Sequence, residues 1–405
     1  MSVPDVNIGV TEVERAPAAA GGPVILQVLP SLVTGGAERG TVEIAAAIVA
    51  SGGTAIVISE GGPMENDLKR AGALHLKLPV ASKNPVVMYR NIARLQRVIE
   101  SYKVDIVHVR SRAPAWSAKA ACQRTGAHFI TTFHAPYNFS NAIKKRYNQI
   151  MSEGERVIAI SEFIAEHVRD NYDVDPARLR VVRRGIDIAR FDPDKVSAER
   201  MIQLSTRWRL PDGVPLILMP GRLSRWKGQA VLLEALTHLR DIDFRCVMVG
   251  SDQGRTGYRR ELEGLISSHG LDGKVSIMGE CNDMPAAYML SDVVVSASTD
   301  PEGFGRVVGE AQAMGRPVVA SDHGGAREQL ISGRTGFLFP SGDPAALAEG
   351  LRKALSLTPE ERARLHDEAI ARVRAEFSKD QMCARTLAIY REVLRAGAGQ
   401  QARRT

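Results

Sequence analysis

Short apolar runs recur along this chain, separated by longer stretches in which apolar positions repeat at helical spacing. The first run, Val24-Ile-Leu-Gln-Val-Leu29, predicts a strand, followed by a loop from Pro30 to Gly36 and a helix from about Ala37 to Ala50. Further strands are predicted near Ala55–Ser59, Ile106–Val109, Phe129–Phe133, Val157–Ile160 and Leu179–Val182, with helical patterns such as Val87–Tyr102 and Glu162–Asn171 between them. The alternation pauses at Gly185-Ile-Asp-Ile-Ala-Arg-Phe-Asp-Pro193 and the polar helix after it. It restarts as strand Pro215–Met219, helix Ala230–Leu239, strand Arg245–Gly250, helix Arg259–His269 and strand Val275–Met278. Strands near 293–296 and 317–321 lead to Gly336-Phe-Leu-Phe-Pro340, and three helices follow near 343–355, 359–376 and 379–395. Strands alternating with helices imply parallel sheets covered on both faces. The expected fold class is therefore α/β, with two doubly wound Rossmann-like domains facing a central cleft. The predicted divisions are a disordered leader over 1–22, domains over 23–205 and 206–378, a C-terminal helix over 379–395 and a frayed tail over 396–405.

Composition fits this picture. A chain of 405 residues, 44% hydrophobic and 24% charged, is long enough for two domains with separate cores. Cys122, Cys246, Cys281 and Cys383 are scattered, with no Cys-x-x-Cys pair, which argues against a disulfide framework or a zinc site. The first twenty residues carry Asp5, Glu12 and Glu14 and lack an apolar core, so they make a poor signal peptide. No run approaches the roughly 18 to 20 apolar residues of a membrane span. A soluble, cytoplasmic protein is expected. Its net charge of +7 fits nucleic acid, an anionic membrane surface or phosphorylated substrates. With 5% aromatic residues and no basic run interleaved with stacking rings, nucleic acid is the weakest of these.

The most informative stretch is Asp300-Pro-Glu-Gly-Phe-Gly-Arg-Val-Val-Gly-Glu310, which sets Glu302 and Glu310 on either side of a loop-to-helix junction. Free backbone N–H groups at a helix N-terminus cradle an anion, and flanking carboxylates accept hydrogen bonds from hydroxyls. That combination suits a sugar nucleotide. Met219-Pro-Gly-Arg-Leu-Ser-Arg-Trp-Lys-Gly228 also lies between a strand and a helix. Gly221 and Gly228 permit a tight turn, while Arg222 and Lys227 can converge on a diphosphate without metal. Elsewhere such an Arg and Lys would read as solvated loop charges; their place between strand and helix reverses that. In the first half, Thr34-Gly-Gly-Ala-Glu-Arg-Gly40 follows the first strand, where Gly35 and Gly36 let backbone approach a ligand. It departs from Gly-x-Gly-x-x-Gly and lacks a clear acidic partner beyond Glu60, so the dinucleotide fingerprint is incomplete.

His134 ends the strand Phe129-Ile-Thr-Thr-Phe-His, a position equally suited to a structural role or to a substrate hydroxyl or phosphate. Arg183, Arg184 and Gly185 form a basic turn that serves a phosphate or caps the interdomain linker. Asp241-x-Asp243 and Asp192-Pro-Asp194 match a metal-binding Asp-x-Asp pattern but sit away from the ligand rim, so no metal is predicted. Lys144, Lys145 and Arg146 stand beside Ile143, Tyr147 and Ile150 on a helix-like stretch. With Arg90, Arg94 and Arg97 they suit anionic lipid headgroups, and a solvated helix face accounts for them as well.

Taken together, these segments resemble the retaining glycosyltransferases of family 4, which have the two-Rossmann GT-B architecture. The resemblance runs from about residue 24 to 395. It rests on Gly35-Gly36, Phe133-His134, Ile160-Ser161-Glu162, Gly185-Ile-Asp187, Gly221-Arg222 with Lys227-Gly228, Val249-Gly250, Glu302-Gly-Phe-Gly305 with Glu310, and Gly324-Gly325 with Glu328. It implies an acceptor-side first domain, a donor-binding second domain and a final helix that crosses back to the first. It also implies that Arg222 and Lys227 hold a donor diphosphate and that Glu310 bonds a ribose. Glu302 and the amides of Phe304, Gly305 and Arg306 would hold the donor sugar, with Gly221 and Val307 completing the donor set. Gly35 and Gly36 would sit against the phosphates or the acceptor, and His134 near the anomeric centre. The chain departs from most relatives at Arg184, where they carry Asn, and at Arg306, where they carry an apolar residue. The blocks 183–187 and 310–318 look like those of bacterial envelope-polysaccharide and lipopolysaccharide members.

The implied reaction is transfer of a hexose from a UDP- or GDP-sugar to a glycan or lipid-linked hydroxyl, with no cofactor and with contact to the inner membrane through Lys144, Lys145 and Arg146. A retaining glycosidase would want two carboxylates about 5 Å apart. Glu302 and Glu310, if helical throughout, would be roughly 12 Å apart, so they read as binding groups. The rival readings are a sugar-nucleotide epimerase on the same architecture, a nicotinamide-dependent dehydrogenase, and a non-enzymatic anion- or nucleic-acid-binding protein, which leaves both glutamates unexplained.

Overall fold

A computed structural model describes the backbone of residues 21–33, 35–254 and 256–402, and side chains through residue 397. Apart from Gly21 and Gly22, the leader expected over 1–22 lies outside the described residues, as do Thr34 and residues 403–405. Among the described residues, thirteen short strands form two sheets. The first contains β1 (Val24–Val28), β2 (Thr54–Ser59), β3 (Leu74–Lys77), β4 (Ile106–Val109), β5 (His128–Phe133), β6 (Arg156–Ala159) and β7 (Leu179–Val181). The second contains β8 (Leu216–Pro220), β9 (Arg245–Val249), β10 (Val275–Met278), β11 (Val293–Ser296), β12 (Val318–Ser321) and β13 (Phe337–Phe339). Their orders are β3-β2-β1-β4-β5-β6-β7 and β10-β9-β8-β11-β12-β13. Each sheet thus repeats one plan, in which the chain winds outward from its first strand, returns, and winds the other way. Ligands in such sheets bind beyond the carboxyl ends of the strands where the direction reverses. Those reversals fall at β1 and β4 in the first sheet and at β8 and β11 in the second.

The strands are nearly continuous apolar runs because both faces are covered. In the second sheet, Ile217, Met219, Val247, Val293 and Val295 are all almost fully buried, and Leu232, Leu236, Leu347 and Leu351 of the flanking helices are buried with them. Several elements are not named in the sequence expectations, β3 and the helix Arg112–Thr125 among them. β3 has the mixed sequence Leu-His-Leu-Lys, and the helix Arg112–Thr125 is alanine-rich with a weak apolar stripe. The last helix, expected to end at 395, continues to Ala402.

Chain contacts divide the molecule into two compact units, residues 1–130 with 390–405, and residues 131–389. In the first unit, His108 of β4 shares a 2.6 Å hydrogen bond with the Tyr390 hydroxyl, and the two rings meet edge to face. Burial, reinforced by the nearby Arg110 charge, holds the His108 imidazole well below the usual histidine range. Burial also lowers His75 and His167. A histidine that stays neutral when folded but protonates when unfolded removes stability as pH falls below its unfolded value of about 6.5. Thermal unfolding should therefore move to lower temperature between pH 7 and pH 5, by up to about 1.4 kcal/mol per pH unit for a fully shifted histidine. Parallel melts of wild type and His108→Asn across that window test this; an unchanged slope in the variant would show that His108 is not responsible.

Candidate functional site

The loops that follow β8 and β11 supply most of the predicted residues. After β8, Arg222 leads into a short turn at Arg225–Lys227, and Gly228 opens the helix Gln229–Leu236. Gly228 has φ +76, and a Cβ there would lie 1.8 Å from the Ala297 carbonyl oxygen, so the two loops touch through a position only glycine fits. The Thr299 N–H donates to the Trp226 carbonyl at 2.7 Å and fastens the same contact. After β11, the chain crosses Ser298 to Gly305 and enters the helix Arg306–Ala313.

This arrangement brings Lys227 and Glu302 together. Lys227 Nζ lies 2.8 Å from Glu302 Oε1, and both side chains are mostly shielded from solvent. The Ser298 hydroxyl donates to the same carboxylate oxygen at 2.6 Å, while the Trp226 ring faces the Lys227 ammonium at 4.5 Å. The His323 ring sits behind the loop, 2.8 Å from the Ser298 carbonyl and 3.0 Å from the Ser341 hydroxyl. Arg222 is exposed, with its guanidinium 3.4 Å from the Gln253 amide oxygen, and its carbonyl accepts from Gln229 at 2.9 Å. Gly221, at φ +150, follows the last strand residue, Pro220, beside the Lys227 stem.

Glu310, one turn into the following helix, meets two partners. Arg306 lies 3.4 Å from Oε1, and the Tyr288 hydroxyl donates to Oε2 at 3.0 Å. Arg306, where most relatives are expected to carry an apolar residue, thus shares its charge with Glu310. Tyr288 is fully buried; burial first, and then the Glu310 charge, push its phenol well above the usual range, so it remains a donor. Phe304 is buried against the Phe377 ring, and its carbonyl and that of Gly305 accept from Gln329. Val307 stands in the first turn of the helix.

The carboxyl ends of β5 and β6 reach the same loop from within the second unit. The Ser161 hydroxyl donates to the Gly303 carbonyl at 2.6 Å, and a Cβ on Gly303 would come within 2.8 Å of the His134 carbonyl. His134, Gly303 and Glu302 are thereby neighbours. The basic turn after β7 does not reach this cluster as a set of loose cations. Arg183 pairs with Glu328 at 3.3 Å and Glu162 at 3.6 Å, and Glu328 also accepts the Phe163 N–H at 2.8 Å. Arg184 is buried, and Asp187 bonds Lys379 at 3.0 Å. Gly35 and Gly36 lie in the first unit, where Gly35 precedes the helix Gly36–Ala50. Of the Asp-x-Asp pairs, Asp241 is bound by Arg352 and Asp192 caps the turn Pro193–Lys195.

Tyr288, Ser298, Trp226 and His323 belong to this site, and sequence reasoning missed their roles. Tyr288 carries one legible signal, a lone polar atom within the apolar stretch Met284-Pro-Ala-Ala-Tyr-Met-Leu290. Removing its hydroxyl should leave Glu310 short of a donor. We expect Tyr288→Phe, with the fold persisting, to weaken about tenfold the binding of any ligand whose hydroxyls donate to Glu310, since hydrogen bonds to charged groups contribute about 1.5–3 kcal/mol. A binding titration beside a thermal melt separates this from general destabilisation.

Residues 202–372 match the family described as Glycosyl transferases group 1, and residues 34–190 match Glycosyltransferase Family 4. A D-inositol 3-phosphate glycosyltransferase of Xylanimonas cellulosilytica is 33% identical over 302 residues, covering 71% of this chain and 71% of that protein. Among solved structures, a glycosyltransferase from Rickettsia africae aligns with a TM-score of 0.87 at 40% identity, covering 92% of this chain and 99% of that one. Anabaena Alr3699/HepE, solved in complex with UDP and glucose, shares the fold with a TM-score of 0.81 at 22% identity, covering 91% and 100%.

Proposed function

Because this chain belongs to the group 1 glycosyltransferases of family 4, with the GT-B fold, we propose that it moves a hexose from a UDP- or GDP-sugar to a hydroxyl of a glycan or glycolipid, retaining the anomeric configuration. The observation that carries this reading is the Lys227–Glu302 pair at the reversal point of the second sheet, beside a helix N-terminus. Lys227 and Arg222 receive the diphosphate and neutralise the charge that grows on it as the sugar leaves, which is electrostatic catalysis without metal. Glu302, oriented by Ser298, accepts sugar hydroxyls. Glu310, held by Tyr288 and Arg306, takes the ribose hydroxyls. The amides of Phe304, Gly305 and Arg306 face the donor sugar, with Val307 beside them, and His134 stands at the reacting carbon with the acceptor.

Glu302 is engaged by a lysine and a serine, which suits a binding carboxylate better than a nucleophile. The leaving phosphate then takes the acceptor's proton. We place the acceptor among bacterial envelope polysaccharide or lipopolysaccharide precursors. The helix Ala142–Gln149 supports a membrane-bound acceptor, because it exposes Ile143 (83%) beside exposed Lys144, Lys145 and Arg146. Among the described residues no helix is long and apolar enough to cross a membrane, so contact would be peripheral.

A thermal-shift panel of UDP- and GDP-hexoses, NAD and a short oligonucleotide, each with and without EDTA, tests the reading. The expected result is a rise with one sugar nucleotide, indifferent to EDTA and absent in Lys227→Ala. A rise with NAD or oligonucleotide alone would overturn it.

A further inference from the structure

The second unit holds a pocket of about 280 Å³ at the rim opposite the candidate site. The donor loops lie at the carboxyl ends of the strands, whereas this pocket lies where β13 begins, at Phe337. Its walls are the turn before β13, the end of the helix Pro344–Leu355 and the first turns of the helix Pro359–Glu376. Phe337 and the buried Leu365 give it an apolar floor.

Arg334, Lys353 and Arg364 also line the pocket, against one acid, Glu361. That carboxylate is committed to the cap of its own helix, where it accepts the Thr358 N–H at 3.0 Å. Arg334 bonds Glu368 at 2.9 Å and Lys353 approaches Glu349 at 3.4 Å. Both pairs are solvent-exposed and exchange readily for a better anion. Arg364 has no hydrogen-bond or ion-pair partner among the described residues. Three cations and the apolar Phe337 and Leu365 lining one concave space match a ligand with a charged end and a flat apolar body. Two of the cations are guanidinium forks that can grip phosphate oxygens in pairs.

We propose that this pocket is a second ligand site, for a small phosphomonoester with a ring that rests on Phe337. Its phosphate sits between Arg334, Arg364 and Lys353, and no part of the candidate donor site takes part. The Lys227→Ala chain, which keeps this pocket intact, is the protein to use, with phenyl phosphate as the probe and inorganic phosphate as the ringless control. Calorimetric titration should show one saturable site for phenyl phosphate, about tenfold tighter than for inorganic phosphate. Adding Arg334→Gln and Arg364→Gln, both at exposed positions, should weaken it at least tenfold with an unchanged melting temperature. Equal binding with and without the two arginine substitutions, or no binding at all, would overturn the proposal. Because Lys227 is already removed and the two arginine substitutions lie at the opposite rim from Arg222, neither result depends on the transferase reading.

Discussion

Replacing Lys227 with alanine should lower sugar transfer by about 10²- to 10³-fold, the range seen when one preorganised group facing developing charge is removed. Two losses combine. A diphosphate bound as proposed loses a cation that the Trp226 ring and Glu302 hold in place. Among the described residues Glu302 then keeps the Ser298 hydroxyl and is freer to turn away from the proposed sugar position. Lys227→Arg should recover part of the rate, since it restores charge at a different reach. The measurement is nucleotide release from the donor in the presence of acceptor, with a melt of each variant. A loss of less than tenfold in the alanine variant would remove Lys227 from the mechanism.

The second large effect is on stability. Gly228→Ala must place a Cβ 1.8 Å from the Ala297 oxygen while holding φ at +76. The left-handed backbone costs about 1–2 kcal/mol and the forced separation about 1–3 more. With roughly 2–4 °C per kcal/mol for a unit of this size, a fall in Tm on the order of 10 °C is expected. Gly264→Ala is the control, because its Cβ meets nothing within 4 Å on the exposed face of a helix. That substitution should be neutral or slightly stabilising. If both variants melt together, the loops after β8 and β11 are not pinned at Gly228. The expected damage extends to function, because the same contact sets where Lys227 points.

These two positions also mark what the sequence makes legible. Gly228 and Lys227 stand out because a strand ends just before them and a helix begins just after, a pattern visible in one short window. The pairing of Lys227 with Glu302 is different. It spans the whole β9–β10 excursion and exists because β8 and β11 become neighbours only when the sheet reverses direction. Tyr288 is hidden for a related reason: its hydroxyl meets Glu310 across two helices, and a tyrosine in an apolar run looks like core. β3 escaped notice because its lysine and histidine break the apolar run that marks the other strands. Arg183 was legible as a cation near the linker, but its acids, Glu162 and Glu328, come from different helices. Local alternation thus predicted the fold and the loops, while the partners within the site depend on topology.

The course of the last helix has a consequence for how the molecule is made. The helix Lys379–Ala402 begins in the second unit, and from Tyr390 onward its residues belong to the first. His108 must therefore wait for Tyr390, 282 positions later in the chain. Domains of a nascent chain generally fold in the order they leave the ribosome. Here the unit synthesised first is the one completed last. Its opening 130 residues emerge, and must persist without their closing segment, while the whole second unit is still being translated. Until then they expose the surface that the terminal helix later covers, so removing the segment from Tyr390 onward should impair the maturation of the amino-terminal sheet.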